Sequence, residues 1–151
     1  MKTGYHYRGC ALSNVWLRNG FTTQQTPYYG KAVAIHDLEG LHRTIGLCVA
    51  TGKALLTGAE VRFLRKELDM SQSHLARVLG VSESSVRAWE NHRGRISRSA
   101  ERMLRVLYRE HVAGDGTVRD LVELLAELNR ETHKPKIELE DTEHGWRSMA
   151  A

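Results

Sequence analysis

The segment Ser82-Glu83-Ser84-Ser85-Val86-Arg87-Ala88-Trp89-Glu90 carries side chains whose types suit the edges of nucleobases. An arginine fork can bond guanine O6 and N7 together, a glutamate can accept from cytosine N4, a serine hydroxyl is permissive, and a methyl group can pack on that of thymine. Arg87, Glu83, Ser84, Ser85 and Ala88 supply that set. A second chemistry follows directly. Asn91, Arg93, Arg95 and Arg98, with Arg102 beyond them, are the cationic and small polar groups that hold phosphate oxygens and set orientation without reading sequence. Between Arg87 and Arg109 seven arginines face only Glu90 and Glu101, a local net charge of +5. For Arg105 and Arg109 a solvated helix face is an equal reading, whereas for Arg93 and Arg95, in the loop that follows this segment, phosphate contact is preferred.

These groups act together only if short helices position them. Each helix of this region is opened by a hydroxyl residue able to accept an orphan amide proton of the first turn. Thr57-Gly58-Ala59-Glu60 has the form of a capping box, leading into a stripe of Val61, Leu64 and Leu68 with Arg65 on a basic flank. Ser71 opens a helix from Gln72 to Leu79, closed by Gly80, where a left-handed residue is cheap. After the connection Gly80-Val81-Ser82, Ser82 opens a helix from Glu83 to Glu90. Asn91-His92-Arg93-Gly94-Arg95 reads as a loop, and a further helix runs from about Ser97 through Val112 with Ala100, Met103, Leu104 and Leu107 on its apolar face.

Two short helices joined by a tight glycine-containing turn meet the minimum for a helix-turn-helix, whose second helix enters the DNA major groove. Each apolar position has a mechanical reason. Ala76 is small where the helices cross, Leu75 and Leu79 face the core, Val81 plugs the turn, and Val86 with Trp89 seats the second helix. Glu83, Ser84, Ser85, Arg87 and Ala88 remain as the reading surface.

The joint pattern of Gln72, Ala76, Gly80, Val81, Val86 and Trp89-Glu90-Asn91 resembles the Cro and phage-repressor type of helix-turn-helix, also called the XRE family. The resemblance covers about Thr57 to Tyr108 and implies a lambda-repressor-like helical domain. It also implies that Glu83, Ser84 and Ala88 reach base edges, and that Gln72 and Ser73 clamp the backbone. The family more often carries an amide near the start of the second helix, so Glu83 is a departure. Residues 62–108, especially Arg65-Lys66-Glu67-Leu68 and Leu104-Arg105-Val106-Leu107-Tyr108, look like the DNA-binding half of MqsA-type antitoxins. Those proteins carry a zinc ribbon built on CxxC pairs; this chain has no CxxC, so toxin binding by that route does not transfer.

The flanks have other textures. Residues 1–56, rich in glycine and aromatics, suggest a small α+β unit for dimerisation or partner binding, with strands over 5–8 and 31–36 and a turn at Thr26-Pro27-Tyr28-Tyr29-Gly30. Asp37 can cap a helix that carries Leu38, Leu41, Ile45 and Val49 and ends at Gly52. Thr117-Val118-Arg119-Asp120 reads as a capped start in residues 113–134, leading into Leu121, Val122, Leu124, Leu125 and Leu128. That face is either intramolecular core, the preferred reading, or a dimer seam. Residues 135–151 read as an acidic, flexible tail. The fold class is therefore mainly α: a small α+β unit, then a five-helix lambda-repressor-like domain over 57–112 and its C-terminal extension.

Composition sets the frame. The 151 residues carry a net charge of +4 with a pI near 9.3, and 41% of them are hydrophobic, which excludes disorder for the bulk. Residues 1–56 and 57–112 each carry +4, and residues 113–151 carry −4, so an acidic tail masks a basic body. Cys10 and Cys48 make no disulfide framework and point to a reducing, cytoplasmic setting. His6, Cys10, His36, His42 and Cys48 are ligand types without ligand spacing; buried cysteines and solvated histidines are the expectation, with no metal or cofactor. Neither an apolar signal region nor a membrane-length apolar stretch occurs. Without a nucleophile elbow, phosphate loop or HExxH, the chain does not read as an enzyme. The expected partner is double-stranded DNA, bound by a homodimer because one short helix makes few base contacts. Two functions are compatible with this: a repressor on a palindromic operator, or an antitoxin that neutralises a toxin protein and autoregulates its promoter.

Overall fold

A computed structural model describes residues 4–128 and 136–149. Among them it is mainly helical, with three separate two-stranded antiparallel hairpins. In the first, β1 (Tyr5–His6) pairs with β2 (Trp16–Leu17), and in the second β3 (Phe21–Thr26) pairs with β4 (Gly30–Ile35) in register from Phe21 opposite Ile35 to Thr26 opposite Gly30. The strand expected over 5–8 stops at His6; the Tyr7 amide still donates to Val15 O at 2.9 Å, and the chain then turns, with Ala11 N on Arg8 O at 3.0 Å. The turn at residues 26–30 lies where expected, but β3 is nearly all Thr and Gln and so shows no apolar alternation. It is an exposed ribbon, anchored at its base where the Tyr5 and Phe21 rings lie 5.2 Å apart.

Helix α1 (Leu38–Gly52) starts at Asp37, whose carboxylate accepts from the Gly40 amide at 3.2 Å. An amphipathic helix of 15 residues has more apolar surface than a polar hairpin can cover, and α1 lies instead on α2 (Gly58–Glu67) and α5 (Arg98–Ala113). Its approach to α5 is close: a Cβ on Gly46 would overlap the Tyr108 hydroxyl. Burial pushes the Tyr108 pKa up to about 12. Arg105 donates to the Ala50 and Lys53 carbonyls at 3.0 and 2.6 Å and to Glu101 at 2.6 Å, satisfying the end of α1 with a cation. Arg105 is thus a structural residue. One buried cluster joins Tyr7, Ile45 and Val49 to Val61, Leu64, Leu104 and Leu107, so the packing runs across the boundary expected at residue 56.

The helices α2, α3 (Gln72–Leu79), α4 (Glu83–Glu90) and α5 start where the hydroxyl residues place them. Thr57 and Glu60 form a reciprocal capping box, and Ser71, Ser82 and Ser97 accept from the amides of His74, Ser85 and Ala100. Helix α6 (Thr117–Glu127) departs from this. Thr117 lies inside its first turn and does not cap it. Asp115 accepts from the Thr117 amide and hydroxyl at 3.0 and 2.6 Å, which holds its carboxyl below the usual carboxylate range. Glu110, from the last turn of α5, accepts from the Val118 and Arg119 amides at 2.9 and 3.0 Å. A carboxylate across a helix start satisfies orphan donors and the dipole together.

No residue of α6 is buried. Val118 and Val122 touch the core, while Leu121, Leu124, Leu125 and Leu128 face outward, so the preferred reading of this face as interior is corrected. What holds α6 to α3 is polar: His74 to Glu123 at 2.6 Å and Arg77 to Glu127 at 3.7 Å. The expected flexible tail is also corrected in part. β5 (Leu139–Thr142) and β6 (Gly145–Ser148) form a hairpin, closed by the Thr142 hydroxyl on Gly145 O and by Arg147 on Glu140, each at 2.7 Å. Acidic composition concealed a cross-strand ion pair. Residues 129–135 and 150–151, within the expected segments 113–134 and 135–151, lie outside the described residues.

Candidate nucleic-acid interface

The turn between α3 and α4 is closed by two backbone bonds, Val81 N to Ala76 O at 2.9 Å and Gly80 N to Arg77 O at 3.3 Å, with Gly80 left-handed at φ 70°. That is the helix-ending pattern in which a left-handed residue satisfies two orphan carbonyls, and glycine adopts it without a Cβ penalty. Leu75, Ala76, Val86 and Trp89 are buried, with Leu79 and Val81 half-buried beside them. The back of α4 is locked further by a charge. Glu90 is buried and receives Arg65 through two parallel bonds, Nε at 2.7 Å and Nη2 at 2.8 Å, while Arg65 Nη1 donates to Met70 O at 2.9 Å. Arg65, expected on a basic flank, is therefore interior, because the carboxylate it meets comes from a different helix. Glu90 was legible only as part of the Trp-Glu-Asn pattern; its partner lies 25 positions upstream, beyond any local spacing signal.

With the back fixed, the expected base-reading residues fall on the open side. Glu83, Ser84 and Arg87 are exposed, and Ser85 and Ala88 are half-buried. Arg87 is not a free fork: Nη2 donates to Glu83 Oε1 at 2.9 Å, one turn away. The Ser85 hydroxyl lies 2.9 Å from that of Ser82, the capping residue, which ties it to the helix start.

The expected phosphate-contact residues divide. Gln72 is half-buried with its amide donating to Glu90 at 3.3 Å, so one of its N–H groups braces α3 against α4; Ser73 is exposed beside it. Asn91, Arg93, Arg95 and Arg98 are exposed, and among the described residues Arg93, Arg95, Arg98 and Arg102 enter no ion pair. The loop that carries Arg93 and Arg95 is not loose. Arg93 N donates to Ala88 O at 2.8 Å, His92 is left-handed at φ 58°, and Ile96 is buried. A run of cations on an anchored loop, with no carboxylate answering them among the described residues, makes a positive surface.

A second polar cluster sits away from this face. His42 Nε2 lies 2.6 Å from the Tyr7 hydroxyl and Nδ1 lies 3.0 Å from Glu67, so His42 is half-buried and bonded rather than solvated. The Tyr7 ring is buried, which raises its pKa, and the chain of bonds braces the N-terminal segment against α1 and α2. Cys10 is buried nearby and Cys48 exposed, and among the described residues no group of three or more His, Cys, Asp or Glu side chains can hold a metal ion.

Residues 61–99 match a family model described as helix-turn-helix. That span runs from α2 to the start of α5 and is similar to the Cro/C1-type helix-turn-helix, a domain type of DNA-binding regulators. No curated protein and no solved structure matches the chain. Among the described residues no helix is long and apolar enough to cross a membrane.

Proposed function

We propose that this chain is a sequence-specific transcriptional regulator, a homodimeric repressor that lays α4 in the major groove of each half of a palindromic operator. The observation that carries this reading is the two-sidedness of α4: Val86, Trp89 and Glu90 are buried on one side, and Glu83, Ser84 and Arg87 are exposed on the other. Arg87 reads guanine, Glu83 accepts from a cytosine amino group, Ser84 and Ser85 make permissive contacts, and the Ala88 methyl packs on thymine. Ser73, Asn91, Arg93, Arg95 and Arg98, with the remaining N–H of Gln72, hold phosphates on either side. Repression is steric, by occupancy of the promoter.

The dimer reading is favoured by α6. Leu121, Leu124, Leu125 and Leu128 recur at the spacing of one helix face and are each more than half exposed. A face of that kind on each of two copies gives a self-complementary seam. The test is fluorescence anisotropy with duplexes selected from a random pool. Binding should weaken steeply with salt. Arg87→Ala should cost about 1 to 3 kcal/mol and relax one base step, whereas Arg93→Ala should weaken all sequences alike. Unchanged affinity in both variants overturns the docking.

A second reading, an antitoxin that neutralises a partner toxin and autoregulates its promoter, is favoured by exposed aromatics on the hairpins. Tyr28 and Tyr29 at the β3–β4 tip are 89% and 90% exposed, and Trp146 on β6 is 73% exposed. Exposed large aromatics mark protein contacts. Rescue from a toxic neighbouring gene product by this chain, lost on Tyr28→Ser with Tyr29→Ser or on Trp146→Ser, supports that reading; rescue unaffected by all three substitutions counts against it.

A further inference from the structure

Between the start of α2 and the α4–α5 loop lies a groove of about 540 Å³. That size is within the range of small-molecule sites, roughly 300 to 1,000 Å³. Leu56, Trp89 and Ile96, each under a tenth exposed, line it together with Leu55, which is 47% exposed. Arg93 and Arg95 stand on its wall, and no aspartate or glutamate lines it. Neither arginine has an ion-pair partner among the described residues.

We infer that this groove binds a small amphipathic anion, one carboxylate, sulfonate or phosphate attached to an apolar ring or chain, and that such a ligand competes with DNA. The two parts of the site ask for the two parts of the ligand. The two unpaired guanidinium groups favour an anion, whose oxygens accept their N–H groups. Leu55 and the apolar edges beside it can cover an apolar body, and a DNA phosphodiester has none to offer, so the backbone can engage the arginines and leave this apolar part unused. The competition rests on the proposed phosphate roles of Arg93 and Arg95; occupancy of the groove by an anion does not. A ligand that holds both arginines withdraws two phosphate contacts from the loop beside α4. By linkage, DNA lowers the affinity for the anion by the factor by which the anion lowers the affinity for DNA. A regulator with this device is released from its operator by a small metabolite of that class.

The probe is 8-anilinonaphthalene-1-sulfonate, which joins aromatic rings to a sulfonate, with inorganic phosphate as the head-group control. Binding to the full chain is followed by nuclear magnetic resonance at the Trp89 indole N–H and the Gly94 amide, which separates the groove from the leucines of α6. Saturable shifts at both positions are expected, with affinity about tenfold lower in Arg95→Gln and in Leu55→Glu, for a loss of one charge-assisted contact or a gain of one repulsive charge. Both substituted residues are exposed, so the variants keep the fold. Leu125→Lys should leave these shifts unchanged. Added duplex should displace the probe from the wild-type chain. Shifts absent from Trp89 and Gly94, or affinity equal in wild type, Arg95→Gln and Leu55→Glu, overturn the site. Simultaneous binding of probe and duplex without mutual weakening overturns the competition. Duplex that fails to bind the probe-free chain refutes the DNA-binding reading instead, and the groove is then judged on the probe titrations alone. Phosphate that matches the probe in affinity reduces the site to a simple anion contact and overturns the amphipathic assignment.

Discussion

Helices α4 and α6 have similar amphipathic patterns and opposite fates. In α4 the apolar side is buried, with Val86 fully inaccessible and Trp89 nearly so, and the polar side is offered outward. In α6 the acidic side is the one that docks, through Glu123 and Glu127 on α3, and four leucines are left in water. The difference lies in how much of each apolar side the rest of the described chain covers. α4 is enclosed by α2 and α3 of the same chain, so its stability is intramolecular and its open surface is free for a ligand. α6 is attached by ion pairs and by Glu110 at its start, and the described residues leave its leucine face uncovered.

The sharpest way to break this contrast is to unlock α4 from within. Glu90→Ala leaves the Arg65 guanidinium buried without its carboxylate, and breaking one side of such a pair costs about 3 to 5 kcal/mol. Urea unfolding monitored by circular dichroism should show a lower midpoint and matching loss of DNA binding. Leu124→Ala on α6, by contrast, should change monomer stability by no more than about 0.5 kcal/mol, because the side chain is exposed. Equal effects of the two substitutions would remove the distinction between the helices.

The next test acts on association. Leu121→Lys with Leu125→Lys places two charges in the proposed seam, where burial of either is costly. Sedimentation equilibrium should shift from dimer to monomer, and affinity for a two-half-site duplex should fall by about tenfold or more as the second reading helix ceases to be tethered. Affinity for an isolated half-site should be unchanged. A dimer that persists with both lysines places the seam elsewhere.

The contrast also explains what could be read in advance. The boundaries of α3 and α4 and the glycine between them were legible because every determinant is local: Ser71, Gly80 and Ser82 act within one turn of themselves. That Glu83, Ser84 and Arg87 lie on the open side of α4 was legible for the same reason, as what remains once the packing positions are removed. Three things were not. Arg65 looked like a surface charge and nothing tied it to Glu90, because a buried ion pair between helices has no spacing signature. The Glu83–Arg87 pair is an ordinary i, i+4 contact, yet reading both residues toward DNA obscured that they first read each other. The apolar face of α6 marks burial without naming the partner, and periodicity cannot tell a core from a seam.

A smaller effect separates the docking of α6 from that of α4 by pH. The hydrogen bond from His74, foremost, holds the Glu123 carboxyl below its usual range. A carboxylate depressed on folding contributes stability above its unfolded pKa, and that contribution is lost as pH falls through the folded value. Glu123→Gln should therefore lower Tm slightly at neutral pH, and the gap from wild type should close as pH drops below the ordinary carboxylate range. The pair is partly exposed, with the Glu123 side chain 33% accessible, so solvent screens it and keeps the effect small. A gap that stays constant with pH would mean that packing of Val118 and Val122, not the ion pair, docks α6.

The smallest effect concerns the ends of the two helices that frame the reading surface. α3 and α4 finish with the same pair of backbone bonds and a left-handed residue, Gly80 at φ 70° in one and His92 at φ 58° in the other. A side chain in that conformation costs roughly 1 to 2 kcal/mol, partly offset because glycine loses more freedom on folding. His92→Gly should thus stabilise the chain by about 0.5 kcal/mol and Gly80→Ala should destabilise it by about 1 kcal/mol, both read from urea midpoints. The sign difference is the point of the pair. If His92→Gly destabilises instead, the imidazole supports the loop that carries Arg93 and Arg95, and the conformational cost at position 92 is retained for the positive surface it holds in place.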